Sequence, residues 1–281
     1  MTFFHLLKMN VTLELRELYA RVLAVLSPVL GPRIRALCYR SLLKTFNKKS
    51  RNVTSVFGVT LESNWQDATF LMAASGSWGF YLHDFLRERK KPYAFIDIGA
   101  NFGLYTSIAA QSCNCKMAVA IEPNPSIFQL LKKNVASNLT GGGRTKFYNC
   151  AIDRVNGIKK LAFNSNNLGK ANLLGQGDES VDCECKNFLL LNEINRFVKN
   201  FSVIVKIDVE GLEGQVIQEI SQSELKDNID YIFMEISPSW MSEEEFQRML
   251  SHLNEMGFEK CWQGFGKAQY DALFKKENVT R

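Results

Sequence analysis

Nine residues, FIDIGANFG at 95–103, constrain the fold more than any other part of the chain. An apolar run that ends in an acid and passes through a glycine turn into a helix is the opening βα unit of a doubly wound sheet. The next apolar run reaches AIEPNP at 120–125 and ends in Glu122, at the distance that one βαβ unit requires. A carboxylate placed there has two oxygens with which to accept hydrogen bonds from both hydroxyls of a ribose. The two strand ends together predict a site for an adenosine-bearing cofactor.

Charge separates the cofactors of that kind. In a dinucleotide site the glycine turn and helix N-terminus face a pyrophosphate, which Asp97, two residues before Gly99, would repel. S-adenosylmethionine has no phosphate and brings a sulfonium and an ammonium, which a carboxylate attracts. Gly99 and Gly103 also give GxxxG in place of the GxGxxG of the dinucleotide turn. The expectation is therefore S-adenosylmethionine, with an NAD-type oxidoreductase and a non-catalytic cofactor-binding protein docked at a membrane as the rivals. The glycine pair alone would fit ordinary turn chemistry.

Four segments in order, FIDIGANFGLYT, AIEPNP, KIDVEGLEG at 206–214 and IFMEISP at 232–238, resemble the FkbM family of S-adenosylmethionine-dependent methyltransferases. The resemblance runs from about residue 53 to the C-terminus. It implies a class I methyltransferase fold and acceptors that are often hydroxyl groups on sugars or complex natural products, without fixing the acceptor. The chain departs from the family pattern in two places. Many relatives carry a Glu shortly after the segment that is Gly79 to Tyr81 here, and many have Leu-Asp where this chain has Lys186 and Asn187. The roles of those acids do not carry over.

The expected architecture is α/β: a mostly parallel seven-stranded sheet with helices on both faces, a helical N-terminal extension and an inserted β ribbon. Short apolar runs at 94–98, 118–121, 147–151, 203–207 and 231–236 predict parallel strands buried on both faces. Runs at 258–262 and 270–274 supply a reversed edge, those at 158–163, 171–174 and 181–185 the ribbon, and 57–61 a short early strand. Asn124 with Pro125 marks one helix start, Ser242 with Glu245 forms a capping box, and Gly257 can end that last helix.

The N-terminal stretch is different in kind. Apolar periodicity predicts helices at 11–26 and 34–46, and ten Lys or Arg through Arg51 against Glu14 and Glu17 make it net +8. The whole chain is +5, so 52–281 carries −3. The division drawn is a basic extension, 1–51, suited to peripheral contact with a membrane surface, and a catalytic domain, 52–281, with no nucleic-acid partner. A hydrophobic content of 46 % lets a chain of 281 residues bury one full core without disulfides. The sequence shows no apolar run of membrane-spanning length and no leader, and its seven cysteines, an odd count, read as reduced thiols of a cytoplasmic protein. Cys113 with Cys115 and Cys183 with Cys185 lack the usual zinc spacing, and sequons at Asn10, Asn52, Asn138 and Asn278 read as coincidence.

Methyl transfer is an in-line displacement, so much of its catalysis is positioning; a hydroxyl acceptor must also lose a proton. Asp208 and Glu210 close the fourth strand at the sheet edge where ligands bind, and Lys206 precedes them inside an apolar run. Asp208 leads as an active-site residue, with Glu210 and Lys206 beside it and Glu235 as a partner. Acids at a helix start gain about 0.3–1 kcal/mol from the dipole whatever their function, which is the structural alternative. A hard-metal site from Asp208, Glu210 and Glu235 is a further alternative. For the cofactor, the expectation names Asp97, Gly99, Ala100, Asn101, Gly103, Tyr105, Thr106, Glu122, Pro123, Ala151, Ile152, Asp153 and Asp208. Among them Asn101 is expected at the methionine end, Glu122 at the ribose, and Ala151, Ile152 and Asp153 at the adenine. The acceptor is expected to be a small molecule or glycan. His83 is a lesser candidate base, and Trp78, Phe80 and Tyr81 are candidate pocket aromatics.

Overall fold

The computed structural model describes residues 51–277 apart from 66, 77–78, 165–166 and 265–268. The helices expected at 11–26 and 34–46, the extension up to residue 50, Trp78, and the sequons at Asn10 and Asn278 lie outside the described residues. The chain divides into two compact units, Met1–Tyr81 and Leu82–Arg281. That boundary lies beyond the one drawn from charge at residue 51, because charge follows surface composition and not packing.

In the first unit β1 (Asn52–Thr54) and β2 (Thr60–Glu62) form an antiparallel hairpin. The strand expected at 57–61 is therefore shorter, since Gly58 at φ +75° turns the chain between the two. Helix α1 (Ala68–Ser75) is capped by the Asp67 carboxylate, which accepts from the Phe70 amide at 2.7 Å. Helix α2, Phe80–Arg87, carries the boundary, with all but its first two residues in the second unit.

The second unit holds β3 (Tyr93–Ile98), α3 (Leu104–Gln111), β4 (Cys115–Ile121), α4 (Pro125–Ala136) and β5 (Arg144–Tyr148). The ribbon follows as β6 (Ala151–Ile152), β7 (Gly157–Asn164), β8 (Asn167–Asn172) and β9 (Glu179–Lys186). Then come α5 (Phe188–Val198), β10 (Ser202–Ile207), α6 (Glu213–Gln222), β11 (Ile229–Ile236), α7 (Glu243–Glu255), β12 (Phe258–Gln263) and β13 (Tyr270–Lys276). The seven-stranded sheet runs β12-β13-β11-β10-β3-β4-β5, and only β13 is antiparallel to its neighbours. This is the doubly wound class I methyltransferase sheet that the sequence implied.

Strand β3 is buried at every position and β10 at all but its first, as expected when helices cover both faces. Strand order reverses between β3 and β10, and in open α/β sheets that switch point opens a crevice at the carboxyl ends of the strands. The caps hold as read. Asn124 accepts from Ser126 and Ile127 amides at the start of α4, and Ser242 with Glu245 makes a reciprocal box on α7. One strand breaks differently: the run at 147–151 leaves the core sheet after Tyr148, and Ala151–Ile152 pairs instead with β9 in the four-stranded ribbon sheet β6-β9-β7-β8.

Candidate active site

Several strand ends converge at the switch point. Gly99, just past β3, has φ +78°, and a Cβ there would run into the Asp208 carbonyl just past β10. Only glycine lets the two ends lie so close. The amides of Gly99 and Ala100 donate to the Ile121 carbonyl at 3.0 and 2.9 Å, which pins the turn to β4. Asn101 adopts φ +50° with its Oδ1 accepting from the Phe102 amide, and its own amide donates to Glu122 Oε2 at 2.9 Å. The Asn124 amide donates to Glu122 Oε1 at 2.8 Å. Burial pushes the Glu122 carboxyl up to about 7 despite these two donors. Each of its oxygens accepts one amide and keeps a second acceptor position.

The centre of the site is a buried cation. Lys206 donates to the Gly99 carbonyl at 2.8 Å and lies 3.3 Å from Asp97 Oδ1 and 3.2 Å from Asp208 Oδ2. Burial opposes its charge, but the Asp208 and Asp97 carboxylates outweigh burial and raise its pKa above the ordinary lysine value. Its ammonium bridges the two carboxylates and lies beside Asp208, as a lysine inside an apolar strand requires. The other Asp97 oxygen accepts from Thr106 Oγ1 at 2.6 Å. Side-chain exposure separates the three charged groups, at 0 % for Asp97, 4 % for Lys206 and 34 % for Asp208.

An open cleft runs beside them. Gly99, Asn101, Glu122, Pro123, Ala151 and Ile152 line it, as do Asp208, Val209, Glu210 and Leu212. The ribbon adds Leu161, Ala171, Asn172 and Leu173, which sequence reasoning missed. The structure thus gathers most of the expected residues into one cavity.

The others stand behind it. Asp97 and Thr106 are bonded to each other and fully buried. The Ala100 amide is spent on β4, and Gly103 serves packing, since a Cβ there would meet Leu131 Cδ1 at 2.5 Å. Tyr105 is buried with its ring 5.6 Å from Lys206 Nζ, and burial, with Asp271 and Asp208 nearby, raises its phenol well above the ordinary value. Asp153 is ion-paired to Lys159 and accepts from Gln215 at 2.7 Å. Burial would raise its pKa, but these partners hold it below the usual carboxylate range. Ala151 and Ile152 line the cleft, and Asp153 stands beside them without lining it. His83 pairs with its neighbour Asp84 at 2.7 Å and does not line the cleft.

At the β11 side of the switch point, carboxylates crowd together. Asp208, Glu210 and Glu235 each offer an oxygen within 4.8 Å of the others, a donor set able to hold a hard cation. Glu235 also faces Asp271 across the antiparallel β11–β13 pair and accepts from Gln269 Nε2. Burial first, then Asp208, Glu210 and Asp271, push Glu235 up to about 9; burial and Asp208 push Asp271 up to about 6. A carboxyl raised on folding binds its proton more tightly in the native state, so stability is full below the unfolded value and falls as pH rises through the folded one. The cofactor-free protein is accordingly expected to melt at lower temperature as pH rises from about 5 to 9. Glu235→Gln should raise the melting temperature at the alkaline end and change it little at pH 5. Thermal shift across that range checks this; equal pH slopes for the two proteins would contradict it.

A sequence model of the methyltransferase FkbM domain matches residues 97–260. The chain belongs to the FkbM methyltransferase family. No curated protein matches it. Among solved structures, the chain is similar to a putative RNA methyltransferase from Pyrococcus horikoshii, at 12 % identity over 90 % of this chain and 100 % of that one, with TM-score 0.43. It is similar to TrmK of M. capricolum in complex with S-adenosyl-homocysteine, at 14 % identity over 71 % and 69 %, with TM-score 0.42. A third is TYW2 of P. horikoshii in complex with MeSAdo, at 15 % identity over 77 % and 67 %, with TM-score 0.42.

As a family member the enzyme uses S-adenosylmethionine, and the cleft suits it. Glu122 keeps acceptor positions for a diol, Ile152, Leu161 and Leu173 offer apolar surface to a flat ring, and the carboxylates of Asp208 and Glu210 on the same cleft suit cationic groups. Among the described residues no helix is long and apolar enough to cross a membrane. All six described cysteines are unbridged, with Cys115, Cys150, Cys183 and Cys185 buried.

Proposed function

We propose that this FkbM methyltransferase O-methylates a hydroxyl of a sugar, a glycan or a related metabolite. The observation that carries the reading is the contrast within the charged triad: Asp97 and Lys206 are sealed, while Asp208 reaches the cleft shared with Glu122. S-adenosylmethionine, when bound, supplies a methyl group already activated as a sulfonium. Glu122 would hold the ribose, with Asn101 and Gly99 shaping the turn beside it and Ala151 and Ile152 on the adenine side. Asp208 would then accept the acceptor's hydroxyl proton, oriented by the Lys206 ammonium. Lys206 contributes as a fixed positive charge and takes no proton.

The acidity of this rim argues against a polyphosphate acceptor. Nucleic-acid affinity is built mainly from Lys and Arg facing phosphates, whereas Asp208, Glu210, Glu235 and Asp271 meet here and 52–281 is net −3. Incubation with S-adenosylmethionine labelled in the methyl group, against fractionated glycans, lipids, small metabolites, RNA and protein, tests the reading. Label in a saccharide or metabolite hydroxyl, located by fragmentation mass spectrometry, is the expected result. Label confined to RNA or to protein would overturn it.

A further inference from the structure

Just past the acid pair, the loop after β10 passes beneath an aromatic ring. Gly211 adopts φ +100°, and a Cβ built on it would lie 2.9 Å from Trp240 Cε3 and 3.1 Å from Leu174 Cδ1. No side chain fits there, so the indole and the leucine both press on bare backbone next to Glu210. The two groups come from separate parts of the unit. Trp240 ends the short 3₁₀ turn Pro238–Trp240 that follows β11, a few residues after Glu235, and Leu174 sits just past β8 at the tip of the ribbon.

The ribbon tip is built to stay in place, and both groups keep some surface open. Asn172, buried, accepts from the amides of Leu174 and Gln176 at 3.1 and 3.2 Å and donates to the Gln176 carbonyl at 2.9 Å, which ties the ribbon tip into one shape. Leu174 is nevertheless 45 % exposed and Trp240 half-buried. Leu173, its neighbour, lines the same cleft as Glu210 and Asp208. The result is a partly open apolar platform bordering hydrogen-bond acceptors.

We propose that Trp240 and Leu174 form the subsite that seats the acceptor, with a sugar ring stacked on the indole and its hydroxyls turned toward Glu210 and Asp208. A pyranose has one face of C–H bonds that suits an aromatic plane and a rim of hydroxyls that suits carboxylates. A polyanion would meet like charge from Glu210 and Asp208, and an all-apolar acceptor would put apolar surface against these carboxylates in place of hydroxyl donors. This inference rests on the O-methylation reading and names the residues that choose the acceptor within it.

Trp240→Ala and Trp240→Phe in the full chain test it, with transfer of labelled methyl into the saccharide fraction and into methyl α-pyranosides as the readout. Trp240→Ala is expected to raise the acceptor KM about tenfold or more, with kcat and the S-adenosylhomocysteine Kd within about twofold of wild type. Trp240→Phe, which keeps a flat face, should recover most of the loss and guards against misfolding of the alanine variant. Unchanged acceptor KM in Trp240→Ala, with wild-type label still entering saccharide hydroxyls, would overturn the stacking subsite and leave O-methylation standing. An equal loss in both variants together with weakened S-adenosylhomocysteine binding would also overturn it, by making Trp240 a packing residue. Label entering only RNA or protein would remove both proposals.

Discussion

Glu122→Ala is expected to weaken S-adenosylmethionine binding at least tenfold while the protein still folds. The carboxylate does two things at once. Its oxygens accept the Asn101 and Asn124 amides, so it stitches the glycine turn to the end of β4, and their remaining acceptor positions meet the ribose. Charge-assisted hydrogen bonds contribute about 1.5–3 kcal/mol each, and tenfold corresponds to about 1.4 kcal/mol, so loss of one ribose contact already reaches the expected effect. Because burial lifts this carboxyl up to about 7, affinity should also depend on pH. The ionised form accepts two hydroxyl donors and the protonated form accepts fewer, so affinity should rise with pH through neutrality. Calorimetric titration at pH 6 and pH 8 measures both effects. Glu122→Gln should lose the pH dependence, and unchanged affinity in Glu122→Ala would remove this residue from the ribose site.

Asp208→Asn is expected to lower kcat about a hundredfold or more with cofactor affinity nearly intact. The amide keeps the size of the side chain and removes its ability to take a proton. Lys206 retains Asp97 and the Gly99 carbonyl, so the buried cation is not orphaned and the fold should survive. Circular dichroism and S-adenosylhomocysteine affinity serve as controls. A chelator belongs in the same experiment, because Asp208, Glu210 and Glu235 present oxygens close enough to share a cation. Activity that survives EDTA leaves Asp208 as the proton acceptor. Activity that falls and returns with magnesium would make it a ligand, and wild-type turnover in Asp208→Asn would reduce it to an acid at a helix start.

The parts of this site that were legible in the sequence are those where local chemistry leaves little choice. An apolar run ending in Asp97 and Gly99, another ending in Glu122, and caps at Asn124 and Ser242 each announce a strand end or a helix start within a few residues. The rest depends on what lies across the fold. Lys206 reads as a lysine that needs an acidic partner, and only the fold shows that Asp97 and Asp208 both flank it. Asp153 reads as an adenine contact or a turn acid, and its pairing with Lys159 of the ribbon is visible only in the fold. Asp271 went unread altogether: it matters because the β11–β13 register sets it opposite Glu235, and acids in that relation destabilise a sheet. Acidic residues repeating at both ends of a predicted antiparallel pair were the available signal. The run at 147–151 was divided between two sheets because strand pairing, and not hydrophobicity, decides where a strand stops.

The four-stranded ribbon has its own hydrogen-bonded sheet and its own small core around Leu161, Cys183 and Cys185. Its tip nevertheless supplies the wall of a cleft whose floor belongs to the main sheet. The two halves of the cleft therefore answer to different structural constraints. Strands such as β3 and β10 have almost no exposed position at which to vary, whereas the loop that joins β8 to β9 lies outside the main sheet and pairs with none of its strands. On the proposed acceptor subsite, a lineage built on this plan would trade one acceptor for another by rewriting that single loop while its donor chemistry stays fixed.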